Sequence, residues 1–566
     1  MKLFSDLEYK RFDVAAAKKE LLASIKEFSL AKTFEEADAA LLKGEEITRH
    51  MSTSYSLAHI RYDMNTADKF YEEELKYYNK EIAKLMPVNQ KSNKAILASP
   101  FKKNLEEKYG RIYIKNIEEQ SKLLSVFNIP DSIKESGLTM QYSKTVASAK
   151  TEFNGKECNF YGLLKFMEST DRQMRKGAFE AWAALYQKVS AEIEEIYCKL
   201  VKIRARMAKR LRFDNYTDYK YLDRQRYDYN QEDVANFRRQ IKEIVTPLCS
   251  ELAKKQAKRL NVEKLSYYDE KLIFPDGNAD PVGTAQEMVI KTQALYHKLS
   301  NETGEFFDFM VKHQLFDLET RPNKRLGGYC TTLDDYKAPF IFSNFNGTLA
   351  DVGVLTHEAG HCFNAYLASR ALPLSGQCFS TSEINEIHSM SMELFTFPYW
   401  QDAFYGGDKE ITDKARYAHV IESLFTIPYM CVVDEFQHEV YKNPKLTIME
   451  RREVWRKIEK EYMPWRDYDG NEFLEKGGFW MQKQHIFLYP FYYIDYALAQ
   501  LGAYEFYGKN LQNKEKAWEE YVNLCRAGGS KGYFELLDYA NLSNPFKEGT
   551  VKKAIGYLKE FIEKEY

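Results

Sequence analysis

Neither sign of charge dominates this 566-residue sequence, in which 81 Lys and Arg stand against 83 Asp and Glu. Without a whole-chain field to hold a polyanion or an anionic bilayer, the balance argues against nucleic acid and against a membrane surface as main partners. One basic and aromatic stretch, Lys209 to Arg224, is diluted by Asp214, Asp218 and Asp223 and reads as a solvated helix and turn. The eight cysteines are scattered with no Cys-x-x-Cys pair, which excludes a disulfide scaffold and reads as reduced thiols. Long apolar runs are missing too: the longest, residues 486–504, is interrupted by Pro490, Asp495 and Gln500 and is no membrane span. No basic start followed by an apolar core opens the chain, so a cytoplasmic location is expected.

Proline is also scarce, at 15 residues, and long stretches rich in Ala, Leu, Glu and Lys take advantage of that to form helices. Apolar residues recur at three- and four-residue spacing over residues 15–28, and Thr33 with Glu36 forms a capping box before the next helical run. Asn154-Gly155 between short mixed runs predicts a hairpin, and helical patterning resumes over residues 168–210. Pro- and Gly-containing loops fall at residues 275–281 and 321–328. Ala338 to Phe345 then reads as a strand, which Pro339 would confine to an edge or a strand start. A chain this long exceeds one core, so two lobes sharing a cleft are expected. The predicted fold is mainly α, a two-lobed helical protein with a small β-sheet and a deep central cleft. An N-terminal helical lobe is placed at 1–195 and a second lobe at 196–566.

Chemistry concentrates in Thr356-His357-Glu358-Ala359-Gly360-His361. The surrounding segment, residues 349–369, reads as a helix: Val352, Leu355, Ala359, Phe363 and Tyr366 mark a buried side, and Thr348 with Asp351 can cap its start. Residues four apart on a helix stand one turn above each other, so the imidazoles of His357 and His361 can converge on one metal ion. Glu358 projects beside the metal and can take a proton from water there.

A catalytic zinc takes three protein ligands and keeps one open position. The pattern with a third His six residues after the second fails, because Leu367 stands there. A downstream helix at 381–397, opened by a capping box from Ser380 to Glu383, offers Glu383, Glu386, His388 and Glu393. Seven-residue spacing puts Glu386 and Glu393 on one face, with His388 about 200° round from Glu386. Glu386 as ligand with Glu393 behind it, orienting His361 or a neighbour, is the economical arrangement. His388 is left as a structural or substrate-facing residue.

His-Glu-Ala-Gly-His with Glu-Ile-His-Ser-Met-Ser-Met-Glu downstream resembles the thimet-oligopeptidase-like zinc metallopeptidases, most closely their oligoendopeptidase F and Pz-peptidase branch. The likeness is specific from about residue 325 onward and includes Arg526-Ala527-Gly528-Gly529-Ser530. It implies a zincin-type enzyme binding one zinc ion, with Glu386 as third ligand. It also implies that His485 and tyrosines of the segment 484–500 meet the peptide: Tyr489, Tyr493 and Tyr496, with Tyr492 a competing candidate. Related enzymes offer a strand edge to the extended substrate, which would place Phe340 against it.

The expected activity is zinc-dependent hydrolysis of internal bonds in short peptides. Glu358 would act as general base, and Tyr493 or Tyr496, assisted by His485, would stabilise the oxyanion. The rivals are a peptidyl-dipeptidase and a non-hydrolytic peptide-binding protein with a structural zinc. Oligomeric state is open on this reading. Cys330 and Cys362 lie close to this region in sequence and read as buried small apolar residues, with a regulatory thiol as the alternative.

Overall fold

The computed structural model describes residues 1–566 apart from 322, 326 and 565. Pro322 and Leu326 of the second predicted loop thus lie outside the described residues. Helices dominate, and the sheets are small: a two-stranded hairpin and a three-stranded sheet.

The chain divides into two compact units, each drawn from three separated stretches. One contains Met1–Leu124, Asp280–Thr412 and Glu505–Ser543; the other contains Ser125–Ala279, Asp413–Tyr504 and Asn544–Tyr566. The boundary expected near residue 195 falls inside a single 39-residue helix, Arg172–Arg210. Asp171 caps that helix through the backbone N–H of Gln173, and Trp182, Ile193, Tyr197 and Leu200 are among its buried residues.

In the first unit, strands β3 (Phe316–Glu319), β4 (Tyr329–Leu333) and β5 (Ala338–Phe345) form a sheet in the order β3-β5-β4. β3 runs parallel to β5, and β4 antiparallel. β5 is therefore the central strand rather than an edge, because the short β3 arrives from upstream to pair with its other side. Pro339 is accommodated as the second residue of the strand, opposite Thr332. The Phe340 side chain is wholly buried, its ring 4.4 Å from that of Phe4.

Two helices lie against one another beside this sheet: Leu349–Ala371, which also packs on β5 and β4, and Ser382–Thr396. Gly360 sets how near they come. A Cβ there would sit 2.6 Å from Ser389 Cα and 2.7 Å from the His388 carbonyl oxygen, so only glycine admits this approach. The Gly528-Gly529 pair does similar work behind the second helix. A Cβ on Gly529 would lie 2.3 Å from the Phe379 carbonyl oxygen, and the Gly529 N–H donates to Gln377 O at 2.8 Å.

In the second unit, β1 (Thr151–Phe153) and β2 (Lys156–Cys158) form the predicted hairpin. Asn154 and Gly155 both take positive φ, as a tight two-residue turn requires. Further along, Tyr489-Pro490-Phe491-Tyr492 makes a turn closed by the Tyr492 N–H on Tyr489 O at 3.1 Å, leading into the helix Tyr493–Gln512. Among the described residues no helix is long and apolar enough to cross a membrane.

Candidate metal centre

The helix Leu349–Ala371 carries His357, Glu358 and His361, and Val352, Leu355, Ala359, Phe363 and Tyr366 are all buried as its pattern predicts. Its capping differs in detail. The Asp351 carboxylate accepts from the backbone N–H groups of Asn346 and Gly347, while the Thr348 hydroxyl turns to Asn346 Oδ1. The second helix begins after Thr381 rather than Ser380. Instead Asn385 reaches back, accepting from the Ser380 N–H and donating to Ser380 O, both at 3.0 Å.

Across the Gly360 contact, Glu386 Oε2 lies 3.2 Å from His357 Nε2 and 3.4 Å from His361 Nε2. One ligand atom from each of the three residues lies within 4.8 Å of the others. Donor atoms each about 2.0–2.1 Å from a tetrahedral ion are about 3.4 Å apart, so the donor set and its spacing fit zinc. The two imidazoles are partly exposed, at 22% and 16%, so the group is not sealed.

Surrounding groups hold these donors in place. His357 Nδ1–H donates to Glu393 Oε1 at 2.6 Å, which turns the Nε2 edge of the ring toward Glu386. Glu393 thus serves His357 rather than His361; it lies seven residues, about two helical turns, beyond Glu386. Ser389, not singled out by the sequence reading, donates to Glu386 Oε2 at 3.0 Å. Burial opposes charge on His357, but Glu386 and Glu393 overcome it and hold the imidazole pKa well above its usual value. Burial likewise opposes ionisation of Glu386, yet His361 and His357 keep its carboxyl well below the usual range.

Glu358 faces the same place from the ligand helix and is 8% exposed; burial pushes its carboxyl pKa up, the neighbouring histidines opposing. Its Oε2 is buried with no hydrogen-bond partner among the described residues. A buried carboxylate oxygen without a partner costs energy that folding alone does not require, and a general base needs such an oxygen available.

His388 takes neither a ligand nor a surface position. It has no exposed surface, burial lowers its pKa to about 3, and its backbone carbonyl accepts from the Tyr521 hydroxyl at 2.8 Å. Of the two readings the sequence left open, structural or substrate-facing, this complete burial accords with the structural one. Cys362, adjacent to His361, is buried with its Sγ 3.0 Å from Cys330 Sγ on β4.

The second unit holds His485 and the tyrosines as a ring cluster. His485 lies 4.7 Å from Tyr493 and 6.2 Å from Tyr496 by ring centroids, and Tyr492 lies 5.1 Å from Tyr496. Tyr489 is 48% exposed, whereas Tyr493 is nearly buried with its hydroxyl accepting from Lys483 Nζ at 3.0 Å.

Known proteins match this chain along most of its length. Residues 4–124 match the peptidase M3 N-terminal domain, and residues 165–555 match peptidase family M3. The oligoendopeptidase F homolog of Borreliella burgdorferi is 23% identical over 70% of this chain and 65% of its own length. Oligopeptidase PepF of Bacillus subtilis is 21% identical over 93% of this chain and 80% of its own. The solved structure of PZ peptidase A with an inhibitor superposes with a TM-score of 0.94 at 41% identity, covering 99% of both chains. Matched over more than half its length by the family model and by a solved relative along nearly all of it, the chain belongs to peptidase family M3, with its relatives in the oligoendopeptidase F and Pz-peptidase branch.

Proposed function

We propose that this protein is a zinc-dependent endopeptidase that hydrolyses internal bonds of short oligopeptides. The observation that carries the reading is the convergence of His357, His361 and Glu386 beside the unpartnered buried carboxylate oxygen of Glu358. A structural zinc site needs four ligands and no adjacent base, whereas three ligands and a base describe a hydrolytic one. The restriction to short peptides draws on the names of the relatives, which are oligopeptidases and oligoendopeptidases.

Zinc held by His357, His361 and Glu386 would supply Lewis acidity that polarises the scissile carbonyl and acidifies water. Glu393 keeps His357 in the tautomer that offers Nε2. Glu358 accepts a proton from the attacking water and later delivers it to the leaving amine. The phenol of Tyr493 or Tyr496, with His485 assisting, donates to the oxygen that gains charge as the carbonyl becomes tetrahedral. Tyr489 and Tyr492 contact the peptide. β4, an outer strand of the sheet, replaces β5 as the strand whose backbone could pair with an extended substrate.

Cleavage-site mapping on a mixed peptide library, with and without a chelator, tests this reading. Internal cuts that stop on chelation and return with zinc are expected. Release of C-terminal dipeptides alone would make the protein a peptidyl-dipeptidase, and peptide binding without any cut would make it a non-hydrolytic binder.

A further inference from the structure

The turn that introduces the tyrosine helix is held in an unusual way. Phe491 follows Pro490 at the turn position where the backbone must enter the left-handed region, and it does so at φ 62°. Glycine or asparagine ordinarily fills such a position, and an aromatic residue there is strained. Both backbone groups of Phe491 are gripped by buried side chains. Its N–H donates to Gln437 Oε1 at 3.0 Å, and its carbonyl accepts from Arg226 Nη2 at 2.6 Å.

The same Arg226 nitrogen donates to Asp495 Oδ1 at 2.6 Å, and Arg224 Nη2 donates to Oδ2 of that carboxylate, also at 2.6 Å. Asp495 lies in the first turn of the helix that carries Tyr493 and Tyr496. Arg224 in addition lies over the Tyr492 ring, its guanidinium carbon 4.6 Å from the centroid. The side chains of Arg226 and Asp495 are 0% and 1% exposed. A buried ion pair of this kind seldom adds net stability over apolar packing, so its presence calls for a reason other than stability. Here it ties the strained turn to the helix start, which fixes both the rise and the rotation of Tyr493 and Tyr496.

We propose that Arg226, Asp495 and Arg224 are positioning residues for hydrolysis, holding the phenols of Tyr493 and Tyr496 in the orientation that donates to the developing oxyanion. The proposal rests on the reading above that these tyrosines serve the reaction. Arg226 touches no reacting atom; it acts through Phe491 and Asp495. Lysine at 226 keeps the charge but lacks the reach and planar fork that join the Phe491 carbonyl to Asp495 while lying over the Tyr221 ring at 4.5 Å.

The test compares kcat and KM of full-length zinc-loaded enzyme on a quenched fluorescent octapeptide. The variants are Arg226→Lys, Tyr493→Phe, Tyr496→Phe and the doubles that combine Arg226→Lys with each Phe. Arg226→Lys is expected to lower kcat about tenfold or more, with KM within about threefold and zinc content unchanged. Its effect should shrink to less than about threefold in the double made with the tyrosine it positions, because residues in one chain of action are non-additive. Arg224→Gln, at a less enclosed site, gives the same comparison if Arg226→Lys does not fold. An unchanged kcat in Arg226→Lys, or an equal loss in wild-type and both Phe backgrounds, while Tyr493→Phe or Tyr496→Phe alone impairs turnover, overturns the positioning role and leaves the catalytic reading intact. Full activity in both Phe variants removes the catalytic reading, and the positioning role with it.

Discussion

His357 Nδ1 lies 2.6 Å from Glu393 Oε1, joining the helix that carries His357 and His361 to the helix that carries Glu386. This bond supplies the negative partner that makes His357 a better donor through its other nitrogen. Glu393→Gln keeps the shape but removes the charge. Zinc affinity is expected to fall about 10- to 100-fold, read by competition against a chromophoric chelator; wild-type affinity would show that Glu393 does not tune the site.

Glu358 has a different dependence. Its Oε2 makes no hydrogen bond among the described residues and its carboxyl is not one of the three donors, so Glu358→Gln should leave zinc stoichiometry at the wild-type value. Turnover should drop about 10²- to 10⁴-fold. Atomic absorption on the dialysed protein together with peptide hydrolysis checks both halves, and activity near wild type would remove Glu358 as base.

Gly360→Ala places a methyl group 2.6 Å from a backbone carbon and 2.7 Å from a backbone oxygen, neither of which can rotate aside. Overpacking of this kind costs about 1–3 kcal/mol, and the separation of the two helices carries Glu386 away from both histidines. The variant is expected to melt earlier and to bind zinc more weakly. A variant that melts earlier yet binds zinc as tightly as the parent would show that the helix approach does not set the donor spacing.

Acid should weaken the second unit through Asp131. Arg206, donating to it at 2.9 Å, and then Arg210 hold this carboxyl at a pKa of about 2 against the opposing effect of burial. A carboxyl with a depressed pKa stabilises the fold above its unfolded value, and that contribution fades as pH falls from about 4 to about 2. Asp131→Asn should therefore lower the urea midpoint at pH 7 and approach the wild-type midpoint near pH 2. A gap of equal size at both pH values would assign the loss to packing rather than to charge.

The parts of the site that depend on one helix were legible in the sequence. The four-residue spacing of His357 and His361 and the buried face beneath them are local, and the seven-residue spacing pointed to Glu386 and Glu393 together. Which histidine Glu393 meets was not legible, because that depends on the rotation of one helix against the other, set at Gly360. Strand content at Phe340 to Phe345 followed from β-branched and aromatic residues. Its central place in the sheet did not, since β3 pairs from more than twenty residues upstream. His388 was placed on a helix correctly, but its complete burial depends on tertiary packing that no local pattern shows. Arg224 ended a stretch read as solvated and Arg226 lay just beyond it; their partner Asp495 lies some 270 residues away, beyond any local pattern. The tandem glycines at 528 and 529 were visible as a motif, while their purpose, close approach to the loop before Glu386, needs coordinates.

The assembly of each unit from three separated stretches bears on biosynthesis. The unit that contains the metal group is assembled from Met1–Leu124, Asp280–Thr412 and Glu505–Ser543, so its first 124 residues emerge from the ribosome long before their last partners exist. Contacts so distant in the chain form slowly, and the early segment is left to wait with apolar surface uncovered. The glycines that seat the loop before Glu386 are synthesised nearly last. A nascent chain therefore lacks the glycines that seat the loop before Glu386 until translation has passed about residue 530.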